Sequence, residues 1–210
     1  MIIFLTVVSA VPGCNESITT KQIENPGQFF RFAVGNRWTY VDSVISEGGI
    51  SVDTFTVAVE SVRTEGGTNW WTLRNRFNPS IAASEFMIKN DSVYSLQYTE
   101  SSHGLAPIVS LEYIRPQPSD TSIYTSLFDG DVTLIKSATL LHHPYSVPAG
   151  TFSGCASYKY QIYPEHYHEI LAPGVGILSC EILVEPSFDG AGWRRAMKLL
   201  DYKLVDYRTW

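Results

Sequence analysis

Beyond position 29, polar and apolar residues alternate along most of the chain, and apolar residues at helical spacing over eleven or more positions are scarce. Successive side chains of a strand point to opposite faces, so alternation predicts strands with one apolar side. Over residues 37–46, Trp38, Tyr40 and Val44 share a face; over 51–61, Phe55, Val57 and Val59 lie opposite Thr54, Thr56 and Ala58. Glu47-Gly48-Gly49 supplies a turn between these runs and makes them a hairpin. Residues 68–77 set Trp71, Leu73 and Phe77 against Arg74 and Arg76, a third strand with one wet side. Residues 85–89 and 92–99 flank Asn90-Asp91, a dipeptide that tolerates left-handed turn geometry, and read as a second hairpin. Further strands are expected over 107–114, 131–141, 151–163, 175–185 and 194–207, with 115–130 as a long loop. The expected fold class is all-β: a single curved antiparallel sheet of about ten or eleven strands, half-open or closed into a barrel, which disposes of its edges.

The start of the chain departs from this pattern. Residues 1–13 carry no charge and are mostly Ile, Phe, Leu, Val and Ala. A helix of that length reaches about 20 Å, short of a hydrocarbon core of about 30 Å, so a secretory signal fits better than a membrane span. Val11-Pro12-Gly13-Cys14 resembles the lipobox of bacterial lipoproteins. The resemblance implies cleavage before Cys14, lipid attachment at Cys14 and a membrane held as partner through that anchor. Residues 14–28 are polar and aperiodic, as in a flexible tether, and residues 29–210 are expected to form a single β-sheet domain. The competing reading is a buried first strand with Cys14 as a free core thiol.

Composition narrows the function classes. With 44% hydrophobic and 13% aromatic residues the chain can build a sizeable core, and disorder is excluded. Fifteen Lys and Arg against 21 Asp and Glu leave a net charge of −6, which repels a phosphate backbone, so no nucleic acid is expected as partner.

Three separated segments carry a second resemblance. Phe30-Arg31-Phe32-Ala33-Val34-Gly35-Asn36-Arg37-Trp38-Thr39-Tyr40, Val147-Pro148-Ala149-Gly150-Thr151-Phe152 and Ala172-Pro173-Gly174-Val175-Gly176-Ile177 are similar in order and spacing to the "PLxVGNxWxY", "VPAGTF" and "APGVG" segments of an uncharacterised bacterial lipoprotein family, with Arg31-Phe32 standing where the first pattern has Pro-Leu. That resemblance implies an antiparallel β domain shaped like the open barrels of LolA-like lipoprotein carriers. It also implies a cell-envelope location, as an outer-membrane lipoprotein facing the periplasm or the surface, and no shared catalytic site. The residues themselves read as structural: Gly35-Asn36, Pro148-Ala149-Gly150 and Pro173-Gly174 suit turns, and Gly176 suits a bulge or a close backbone approach.

Candidate chemistry is sparse. In an extended segment His166 and His168 project to one side, where two imidazoles are candidate zinc or copper ligands. They stand between Pro164 and Pro173, where an exposed polar connection is the ordinary reading, and a third ligand has to come from elsewhere. There is no G-x-S-x-G elbow, P-loop, H-E-x-x-H or G-x-G-x-x-G, and Asp129-Gly130-Asp131 is not continued as a calcium loop. No cofactor is expected. Cys155 and Cys180 fall on strands that would lie opposite each other, which favours a disulfide, while the parity of their neighbours argues for free thiols. The adjacent Trp70 and Trp71 must face opposite sides, so one of them lies outside the core or lines a second apolar surface. Together with Tyr94 and Tyr98 they are the candidate ligand-binding residues. The expected function is a non-enzymatic envelope binding or interaction module, holding an apolar small molecule or an envelope protein on a concave sheet face. A structural or assembly lipoprotein with a filled core is the first alternative, and a metal-dependent envelope hydrolase using His166 and His168 is the second.

Overall fold

The computed structural model describes residues 29–75, 85–101, 104–118, 120–128, 132–185 and 192–204, and among them it contains strands and turns but no helix. In chain order the strands are β1 (Arg37–Ser46), β2 (Gly49–Glu65), β3 (Thr68–Arg74), β4 (Glu85–Lys89), β5 (Ser92–Ser101), β6 (Gly104–Tyr113), β7 (Ser122–Phe128), β8 (Val132–Leu140), β9 (Tyr145–Val147), β10 (Gly150–Phe152), β11 (Ala156–Ile162), β12 (Glu165–Ala172), β13 (Gly176–Val184) and β14 (Trp193–Lys203). Twelve of them form one antiparallel sheet, ordered β6-β5-β4-β3-β2-β1-β14-β13-β12-β11-β8-β7 and nearly closed into a barrel, while β9 and β10 pair separately. The all-β class and the expected hairpins hold. Asn90 and Asp91 take positive φ of 51° and 60° in the β4–β5 turn, as that dipeptide allows.

Three expectations change. The stretch 115–130, read as a loop, contains β7, a Ser- and Thr-rich strand at one end of the sheet. Residues 151–163 divide into β10 and β11 at a turn where Gly154 has φ 68°. Residues 165–169 are not an exposed connection but the first part of β12, a central strand. Pro164 and Pro173 lie in the turns on either side of it, and Tyr167 and Glu169 alternate inward with His166 and His168 outward. β12 lies between β11, which starts just after Cys155, and β13, which carries Cys180, and both thiols are free and buried.

The interior is filled by the chain itself. Residues 29–33, which precede β1, enter the barrel with Phe29, Phe30 and Phe32 almost fully buried. The Phe30 and Phe32 rings stack at 5.2 Å; Phe30 also meets Tyr113, Phe29 meets Tyr158, and Phe32 meets Trp38, Trp71 and Phe86. Asn36 secures this segment, its side chain donating to the Arg31 carbonyl at 2.5 Å and its own carbonyl accepting the Val59 amide at 2.9 Å.

The three family-like segments meet at this end of the barrel. Trp38 Nε1 donates to the Val175 carbonyl at 2.6 Å, and the Tyr40 hydroxyl donates to the Ile177 carbonyl at 2.9 Å. Gly176 has φ +98°, and a Cβ there would stand 2.6 Å from Phe30 Cδ1 and closer still to Cε1. The close approach expected of this glycine is therefore against an aromatic ring. The β9–β10 hairpin lies over the sheet where β1 and β14 shift register beside Leu199: the Ala149 amide donates to the Leu199 carbonyl at 3.1 Å. A bulge leaves backbone groups outside the regular ladder, and the hairpin supplies a partner.

Candidate functional site

Two regions concentrate polar chemistry, one inside the barrel and one on its outer surface. The inner region lies where the sheet comes back on itself. β6 and β7 are the two ends of the sheet, and no backbone ladder joins them. Side chains bridge the seam instead. Ser110 Oγ accepts the Leu127 amide at 2.8 Å, Gln97 Nε2 donates to the Leu127 carbonyl at 2.9 Å, and the Tyr124 hydroxyl donates to the Glu112 carbonyl at 2.7 Å.

Behind the seam is a buried ion pair. Lys136 Nζ stands 3.0 Å from Glu112 Oε2, with side-chain exposures of 2% and 1%. Buried charges are tolerated only when paired and hydrogen-bonded. Glu112 accordingly accepts from Ser95 at 2.5 Å, Gln97 at 3.0 Å and Ser126 at 3.3 Å, and Lys136 also lies over the rings of Tyr160 and Tyr113. A bulge opposite Val93 and Tyr94 turns both Glu112 and its neighbour Tyr113 inward. A second buried carboxylate, Glu169, accepts from the Tyr160 hydroxyl at 3.3 Å. Burial first, and Glu169 second, push the Tyr113 and Tyr158 hydroxyls and the Cys180 thiol up, so these groups stay protonated. Burial likewise raises Cys155 to about 11, and neither cysteine is a ready nucleophile. This arrangement offers a polar lock centred on the paired Glu112 and Lys136. Its protonated hydroxyls and thiols are not poised to take a proton or attack a substrate.

The outer region is an open groove of about 630 Å³ across β11–β14, lined by Lys159, His166, His168, Glu181, Leu183 and Arg194 among others. The two histidines share this face, as the alternation predicted. Each is engaged: His166 Nε2 lies 2.9 Å from Glu185 Oε1, and His168 Nε2 lies 2.9 Å from Ser157 Oγ. Arg194 pairs with Glu181 at 3.0 Å. Partial burial first, then the Lys159 charge, lower the His168 pKa below its ordinary value. Among the described residues no three His, Cys, Asp or Glu side chains gather as a metal centre. A second cleft, of about 450 Å³, opens at the barrel rim beside Val44, Glu47, Trp193 and Arg195. There Arg195 forms a two-pronged pair with Asp42 at 2.6–3.0 Å.

The four aromatic candidates do not form one surface. Trp71 points inward onto Phe32 and pairs in register with Phe86. Trp70 faces the other way with Arg63 over its ring at 5.6 Å, and Tyr94 and Tyr98 alternate with the inward Ser95 and Gln97, so they share the outer side. Cys14 and Asp129-Gly130-Asp131 lie outside the described residues. The Glu112–Lys136 pair escaped sequence reasoning because 24 positions separate its members and each resembles an ordinary solvated charge. A usable signal was Lys136 on the same side of an alternating strand as Leu134 and Ala138.

No family model and no curated protein matches the chain. A crystal structure of a candidate lipoprotein from Parabacteroides distasonis is similar over 84% of this chain and 98% of that one, at 14% identity and a TM-score of 0.44. A candidate exported protein with a YmcC-like fold from Bacteroides fragilis is similar over 84% and 99%, at 12% identity and a TM-score of 0.45. With TM-scores under 0.5, these two likenesses say nothing of what this chain does.

Proposed function

We propose that the protein is a lipid-anchored, non-enzymatic lipoprotein of the bacterial outer membrane, a rigid interaction module that works through its outer surfaces around a filled core. The observation that carries this reading is the occupied interior. Phe29, Phe30 and Phe32 fill the space that an apolar ligand on the concave face would need, and they do so directly after the polar run that follows Cys14. A tether from a lipidated Cys14 would thus lead straight into the core and hold the domain firmly to its anchor. The Glu112–Lys136 lock and the paired groups of the outer groove favour a scaffold over a hydrolase.

Replacing the lipidated residue tests the anchor. Cys14→Ser is expected to move the chain from the membrane to the soluble fraction and to abolish the lipid-bearing N-terminal peptide in a mass spectrum; unchanged membrane association overturns it. Solvent extraction of the natively purified protein tests the filled core. No stoichiometric lipid is expected, and one lipid per chain overturns that part.

A further inference from the structure

β2 is paired on both sides over only part of its length. In the sheet it lies between β1 and β3. β1 pairs with it from Gly49 to Ala58, whereas β3 pairs with it from Ala58 to Glu65. On the side away from β1, no strand among the described residues pairs with residues 49–57. Every residue from Gly49 to Thr54 is exposed, Ile50 at 71% and Val52 at 65%.

Two contacts show which backbone groups face this open side. The Thr56 carbonyl accepts Asn75 Nδ2, just past the end of β3, at 2.6 Å, so it points away from β1. Successive residues of a paired strand turn their N–H and C=O groups to alternate sides, and Ile50, Val52 and Thr54 therefore turn theirs the same way as Thr56. The Thr54 amide agrees, since it donates to the adjacent Asp53 Oδ1 at 2.7 Å. Sheets guard such edges with Pro, Lys or a bulge. β6, at one end of this sheet, carries Pro107 and meets β7 across the seam. From Gly49 to Val59 there is no Pro, Lys or Arg, and Asp53 is the single charge; the β1–β2 register runs without a shift.

A row of alternating backbone donors and acceptors is met by another extended polypeptide, and this edge is complementary to itself. We infer that the β2 edges of two copies of the chain pair antiparallel about a two-fold axis at Val52, joining two sheets into one. The hydrogen-bonded pairs are then Ile50 with Thr54 of the second copy, Val52 with Val52, and Thr54 with Ile50, about six backbone bonds at two per pair. Ile50, Val52 and Thr54 of both copies share one face of the joined ladder, where the exposed aliphatic groups cover each other. Between these pairs Ser51 stands opposite Asp53 of the second copy, and its hydroxyl donates to that carboxylate. The charge fixes the register. A slide of two residues one way sets Asp53 against Asp53, and like charges directly opposite are destabilising; a slide the other way sets Thr54 against the Gly48 turn. On pairing, Asp53 gives up the Thr54 amide to the Ile50 carbonyl of the second copy and takes the Ser51 hydroxyl in exchange. A two-fold contact closes on itself and stops at two copies. The inference is independent of the anchor reading above.

The test is sedimentation equilibrium of the full chain in detergent over a concentration series, beside Val52→Pro, Val52→Lys and, as a control on another exposed aliphatic group, Ile123→Lys. Val52→Pro removes an N–H that faces the open side, so the β1 ladder keeps its bonds; Val52→Lys keeps the backbone and sets two like charges on the axis. The wild type and Ile123→Lys are expected to reach twice the monomer mass, and both Val52 variants to need about tenfold or more protein to do so. Hydrogen exchange reads the ladder itself: the Ile50, Val52 and Thr54 amides are expected to slow on dimerisation, while those of Ser51 and Asp53, turned to β1, are protected in both states. A wild type that stays monomeric throughout overturns the inference. So does a dimer that both Val52 variants leave intact, an assembly that grows beyond two copies, or a dimer in which the three edge amides exchange as fast as in the monomer.

Discussion

The barrel is held together in two different ways at its two sides. Along β1, β14 and β13 the strands are joined by backbone ladders, and Trp38, Tyr40 and Phe30 fill the space behind them. At the β6–β7 seam there is no ladder, and Ser110, Gln97, Tyr124 and the Glu112–Lys136 pair do the joining. The first side depends on shape complementarity and the second on polar pairing. Apolar packing degrades by steps as volume is removed, whereas a buried charge network fails sharply when one member is lost.

Breaking the seam should therefore have the largest effect. Lys136→Met strands the Glu112 carboxylate in the interior and is expected to cost about 3–5 kcal/mol of stability in urea unfolding. Adding Glu112→Leu should restore much of that loss, because the double variant removes both buried charges; a double variant as unstable as the sum of the singles would refute the seam account. On the packed side, Gly176→Ala sets a methyl group into the Phe30 ring at a φ of +98°, expected to cost about 2–4 kcal/mol from overpacking and strain. Phe30→Leu in the same background should recover part of it, and additive losses would show that the two residues do not meet.

A smaller effect distinguishes the two joints by hydrogen exchange. Ser110→Ala removes the acceptor of the Leu127 amide and should cost about 1–2 kcal/mol, with faster exchange at that amide while β13 and β14 keep their protection. The smallest effect concerns pH. Burial lowers the His168 pKa from 6.5, so the stability of its neutral form is complete above pH 6.5 and is lost as pH falls through the folded-state value. In His168→Gln the loss of stability below pH 6.5 should be shallower, as read from urea midpoints across that range.

Much of the sheet was legible in the pattern. The β1–β2 and β4–β5 hairpins follow from alternation broken by Gly48-Gly49 and Asn90-Asp91, where local backbone preference and burial agree. β12 was missed because Glu165, His166, His168 and Glu169 read as solvated. In the folded chain Glu169 is buried with Tyr160 as its donor, while the histidines lie on the outer face. The Cys155–Cys180 alternative depended on β11, which starts just after Cys155, meeting β13; β12 lies between them, and both thiols are free. Of the candidate site, the shared face of His166 and His168 was legible from the period of two. The scattering of Trp70, Trp71, Tyr94 and Tyr98 over two faces was legible in part, through the adjacency of the two tryptophans.

What the sequence determined by itself is therefore local: the period-two alternation, the turns that need Gly or Asn, and the uncharged start ending at Cys14, because each depends on neighbours in the chain. The tertiary structure alone decided the rest. It set the strand order, placed residues 29–33 inside the barrel and put Glu112 against Lys136. Pairing between distant strands and the bulges that aim their side chains are properties of the closed sheet.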